Sequence, residues 1–125
     1  MTDAAIAWVG DLMESLEIPY AFMEWKEKPP EDGYFVGDFI ESPTVDRTEN
    51  GHTECTFILR GYSRKDWLYL EHCKRQIEKR AASTTILPDG TGLAVFYEYG
   101  EHVPTGDASL KSIKINLRVQ EWRVN

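Results

Sequence analysis

No Cys-x-x-Cys pair and no cysteine–histidine set at zinc spacing occurs in this chain, whose only cysteines are Cys55 and Cys73. That excludes a disulfide scaffold or a zinc knuckle as the organising device, and the two thiols are expected as small buried apolar groups. No apolar run approaches the roughly 18 residues that span a bilayer, and no charged-then-apolar leader opens the sequence. Synthesis in the cytosol with no membrane partner is therefore expected. The glycines form neither a P-loop nor a dinucleotide fingerprint. Gly61-Tyr-Ser-Arg-Lys65 lacks the second glycine of a nucleophile elbow. His52, His72 and His102 stand apart from any second ligand type. Carboxylate pairs such as Glu98 and Glu101 arise by chance in a chain with 21 acidic residues. No catalytic, cofactor-binding or metal-binding residue is assigned, and no enzyme activity is expected.

Basic charge is scarce where it would matter for nucleic acid. Residues 1–50 hold 12 acidic and 3 basic side chains, a balance of −9, and residues 51–125 hold 9 and 11, a balance of +2, within the net −7. Tight nucleic-acid binding needs clustered Lys and Arg to neutralise phosphates, so it is not expected. The asymmetry suits a chain that meets copies of itself head to tail, although chance segregation of surface charge leaves the same pattern.

What the chain does have is enough for one core. A length of 125 residues fits a single domain, 1–125, and four Trp, six Tyr and five Phe can fill it. The clearest local signal runs from Tyr62 to Arg80. Ser63 followed by Asp66 resembles a capping box, which predicts a helix from Arg64. At about 100° per residue Trp67, Leu70, Cys73, Ile77 and Ala81 share one stripe, to be buried against a sheet.

A first helix, capped by Asp3, has its apolar stripe at Ala5, Ile6, Val9, Leu12, Met13 and Leu16, and Pro19 stops it. Tyr20–Trp25, Tyr34–Glu41 and Cys55–Tyr62 read as strands, the last two as a hairpin with a long tip between them. That tip is either a partner-binding loop or a plain connection. Ala82–Gly92 reads as turn-rich, followed by a strand over Leu93–Tyr99. The final run alternates, with Ile113, Ile115, Leu117 and Val119 inward, and its parity flips to Trp122 and Val124, which predicts a bulge near Gln120. The expected fold is α+β: a two-layer sandwich of a largely antiparallel or mixed sheet of about five strands with two helices on one face.

The helix face opposite the buried stripe carries Arg64, Leu68, His72, Arg75 and Lys79. Arg75 and Lys79 are like charges one turn apart, which costs roughly 0.2–0.5 kcal/mol unless something acidic faces them. An exposed leucine among cations fits a charged contact with an apolar anchor, and Glu41, Asp46 and Glu49 of a neighbouring copy's hairpin could face it. A plain solvated face has the same composition.

Several stretches together resemble a known family: Tyr34-Phe-Val-Gly37, Thr56-Phe-Ile-Leu59, the Trp67-Leu helix start, Ala94-Val-Phe-Tyr97, Pro104-Thr-Gly-Asp107 and Ile115-Asn-Leu with Glu121-Trp122. They are similar to the tail-terminator, or tail-completion, proteins of long-tailed phages and of prophages of Gram-positive bacteria. The resemblance is a diffuse pattern of strands and turns over most of the chain. It implies an α/β subunit made in the bacterial cytoplasm and built into the virion, where a ring, typically a hexamer, caps the tail tube and joins it to the head. The implied partners are further copies of the chain, the tail tube protein and a head-completion protein. It implies no enzyme activity and no cofactor, and it transfers no individual site residue. A head-completion or neck protein is the neighbouring alternative. A small enzyme with a pocket over the sheet is the alternative from another class.

Overall fold

The structure, a computed structural model, describes residues 1–41 and 53–123. Asp46, Glu49, His52 and Val124 lie outside the described residues, as does the hairpin tip.

Helix α1 (Asp3–Ser15) buries Ala5, Val9, Leu12 and Met13, as its stripe predicts. Its cap is Thr2 rather than Asp3: the Thr2 hydroxyl oxygen accepts from Ala5 N at 3.2 Å. Asp3 instead sits in the first turn, where its charge favours the positive end of the helix dipole. The helix ends four residues before Pro19, and Glu17 takes a left-handed φ of 57°. Pro19 O then accepts from Phe35 N at 2.8 Å, which starts the pairing of β1 (Tyr20–Phe22) with β2 (Tyr34–Glu41). This first strand is shorter than the expected Tyr20–Trp25, because Met23 turns to φ 72° and ends the extended run.

Strand β3 (Thr53–Ser63) pairs antiparallel with β2, as the hairpin reading requires. Helix α2 (Trp67–Ala81) begins three residues later than predicted. Ser63 remains in the strand: its hydroxyl donates to Asp32 O at 2.6 Å and accepts from Lys65 N at 3.1 Å. Asp66 takes the cap, accepting from Tyr69 N at 2.9 Å. Its extended backbone, φ −155° and ψ 167°, is that of an N-cap residue.

A strand absent from the sequence reading follows, β4 (Ser83–Ile86), paired antiparallel with β5 (Thr91–His102). Three of its four residues are β-branched, a composition that favours extended backbone once β5 offers an edge. The last strand, β6 (Lys111–Arg123), runs without interruption against β3 from Lys111 to Glu121. The bulge predicted near Gln120 is therefore absent from β6 and lies in β5, between Tyr97 and Tyr99. Glu121 keeps the inward parity because it has a task there: its carboxylate accepts from Thr2 N and from the Thr2 hydroxyl, the latter at 2.5 Å. Trp122 turns outward over Gly92, where an added Cβ would lie 2.1 Å from the indole.

The fold is α+β, with two helices and one mixed six-stranded sheet in the order β1-β2-β3-β6-β5-β4. Only β1–β2 is parallel among the described pairs. The expected five strands become six, and the sheet curls into a half-barrel instead of lying as a flat layer. Phe35, Phe57, Leu59, Ile115 and Leu117 of the inner face and Val9, Met13, Leu70 and Ile77 of the helices share one core. Each is fully buried, and burying a side chain of this size contributes about 1.5–3 kcal/mol.

Candidate assembly surface on helix α2

Helix α2 divides its residues sharply between two sides. Leu70, Cys73, Ile77 and Ala81 are buried in the core. Leu68, His72, Arg75 and Lys79, spaced by three or four residues along the other side, are all exposed, and Leu68 is 78% accessible. An aliphatic side chain that exposed gains nothing from the fold of its own subunit. Lys79 has a local role as well, since with Arg80 it places positive charge in the last turn, against the negative end of the helix dipole.

Arg64 does not share this surface. It precedes the helix, and its Nη1 lies 3.3 Å from Ser109 Oγ and 3.6 Å from Asp107 Oδ2, which directs it to the β5–β6 loop. Glu41 ends β2 and is exposed, and its carboxylate pairs with the amino group of Met1. It stands opposite Cys55 in β3, whereas α2 starts beyond Ser63, eight residues further along that strand. At about 3.3 Å per residue the two points lie roughly 26 Å apart along the strand. Glu41 and Leu68 therefore do not meet within one subunit. They can meet only between copies.

Trp67, predicted on the buried stripe, is 40% exposed. It is the first residue of α2 and reaches past the core to His102, ring centroids 4.9 Å apart at 85°. His102 ends β5 and has its Nε2 2.8 Å from Glu71 Oε1. Lys74 Nζ lies 3.3 Å from the other oxygen of the same carboxylate. Burial opposes ionisation of Glu71, but the hydrogen bonds with His102 and Lys74 outweigh it and hold the carboxyl below its ordinary range. This cluster joins α2 to β5 across 31 residues of sequence, a separation that no local pattern reports.

Burial pushes the Cys55 thiol up to about 11 and raises that of Cys73 as well. Both are free and buried, as expected, and neither is activated as a nucleophile. Burial likewise pushes the Tyr20 phenol up to about 12. Among the described residues no group of three His, Cys, Asp or Glu side chains is placed to hold a metal ion. No helix among them is long and apolar enough to cross a membrane.

The outer stripe of α2 is a surface that offers recognition, with an apolar anchor at Leu68 and cations at Arg75 and Lys79. No protein-family model matches this chain, and no curated protein sequence matches it.

Proposed function

We propose that the chain is a structural subunit of a long-tailed phage, the tail terminator whose ring caps the tail tube and joins it to the head. The observation that carries this reading is the exposed Leu68, set among His72, Arg75 and Lys79 on a helix whose other side is committed to the core. A ring needs two different patches that fit each other on successive copies. The cationic α2 surface is one. The acidic first part of the chain, with Glu41 at its exposed end, is the other, and 12 acidic residues against 3 basic ones there supply the charge complement. The work of such a subunit is done by contacts, with neighbouring copies on its flanks and with the tail tube protein and a head-completion protein on the ring's two ends. Its place is the head–tail junction of the virion.

Electron microscopy tests this at high protein concentration, alone and mixed with assembled tail tubes. Closed rings, and density capping one end of each tube, are expected. A protein that forms no ring and leaves the tube ends bare would remove the reading.

A further inference from the structure

On the sheet face that the helices leave open, Arg60 of β3 stands directly opposite Lys114 of β6. Both are half-buried. Like charges directly opposite each other in an antiparallel pair repel, and partial burial reduces the water that would screen them. Neither cation belongs to any of the ion pairs formed among the described residues. Glu101 neighbours Lys114 on β5 without closing an ion pair to it.

The next pair on this face of the same two strands is Tyr62 and Ser112. Ser112 is only 4% exposed, and its hydroxyl enters none of the side-chain hydrogen bonds among the described residues. Tyr62 is held from behind, its ring stacked on Tyr34 with centroids 5.4 Å apart, and Tyr34 in turn packs on Trp25 at 5.2 Å. Arg60, Lys114, Tyr62, Ser112 and Glu101 line a single groove of about 500 Å³, walled on its far side by the β5–β6 loop. Two unpaired cations and two hydroxyls thus converge on one space.

We propose that this groove binds a phosphate-type oxyanion, held between the Arg60 guanidinium and the Lys114 ammonium, with the Ser112 and Tyr62 hydroxyls donating to its remaining oxygens. Four donor groups, two of them charged, suit a multiply charged tetrahedral anion better than a single carboxylate. The groove is larger than the ion, so the phosphate of a small monoester fits as well as free phosphate, with its organic part against the Tyr62 ring. Glu101 works against the site as the one negative charge in the wall.

Isothermal titration with inorganic phosphate and with phenyl phosphate, followed in parallel by amide shifts of Ser112 and Lys114, decides it. Saturable binding is expected, weakened at least about tenfold by Arg60→Gln and by Lys114→Gln, the loss of one charge-assisted contact each. Glu101→Gln should tighten binding several-fold, since the one negative charge in the wall of the groove is removed. That gain cannot come from damage to the fold. Tighter binding of phenyl phosphate identifies a monoester site, and equal binding identifies free phosphate. No saturable binding of either probe up to about 10 mM, or affinities unchanged in Arg60→Gln and Lys114→Gln, would overturn the proposal.

Discussion

The two faces of the sheet are built from the same strands and have little else in common. On β3 and β6 the inward residues Phe57, Leu59, Ile115 and Leu117 are fully buried beneath the helices. Their immediate neighbours in sequence, Thr56, Arg60, Lys114, Asn116 and Arg118, point to the other side. There Ile58 is buried and Trp25, Tyr34 and Tyr62 stack in a row, but the other contacts are lateral and mostly polar: Asn116 Nδ2 donates to Tyr99 Oη at 2.9 Å, Gln120 Nε2 donates to Glu54 Oε2 at 3.1 Å, and the Arg118 guanidinium lies 4.5 Å from the Phe96 ring centroid. Ile40, Ile86, Phe96 and Tyr99 stay exposed among them. The difference teaches that cohesion is concentrated on one side of the sheet, so the other side and the outer stripe of α2 are free to serve contacts without endangering the fold.

That division can be broken most severely from within. Leu117→Ala, at a site with no exposure, should cost about 2–5 kcal/mol in chemical denaturation, because the cavity cannot fill from a close-packed core. Glu121→Ala should cost less, about 1–3 kcal/mol, by leaving Thr2 N and its hydroxyl without their acceptor at the start of α1. A loss no larger than that of a surface substitution would show that the carboxylate is not needed there.

Acid sharpens the comparison at the edge of the core. The folded state holds the Glu71 carboxyl below its ordinary range, so its contribution to stability is present above the unfolded-state value and is lost as pH falls through the folded-state value. Thermal melts of wild type and Glu71→Gln should therefore differ by at most about 1 kcal/mol near neutrality, as expected for a partly exposed ion pair. The two should converge in acid. A gap that widens on acidification would contradict this sign. The smallest effect is expected on the open face, where Ile40→Ser should change stability by no more than about 0.5 kcal/mol; a larger loss would mean that this side also holds the fold together.

Periodicity made much of this architecture legible. The stripe of α1, the buried side of α2 and the alternation over Ile113–Val119 each follow from residues adjacent in sequence, so local spacing carries them. β4 was hidden because Ser-Thr-Thr-Ile is short and lies beside Pro88 and Gly90, and only the edge of β5 makes it a strand. The start of α2 was misplaced because Ser63 and Asp66 are both good caps, and the choice depends on Asp32, which claims the Ser63 hydroxyl from a distant loop. Glu121 misled the parity reading because an inward carboxylate looks like a break in the pattern until Thr2 is seen beside it. Of the surface residues read from sequence, Leu68, His72, Arg75 and Lys79 do share one exposed stripe, while Arg64 turns away to Asp107 and Glu41 lies at the far end of the sheet. The pairing of Arg60 with Lys114 depends on strand register, which no window of sequence contains.

Sedimentation velocity over a range of concentrations, comparing wild type with an Arg75→Glu, Lys79→Glu variant of the same thermal stability, most directly tests whether the outer stripe of α2 exists for assembly. Wild type should associate into a closed ring and the variant should remain monomeric, since both substitutions are at exposed positions and add negative charge against an acidic neighbour. Identical oligomers from the two proteins would contradict the account.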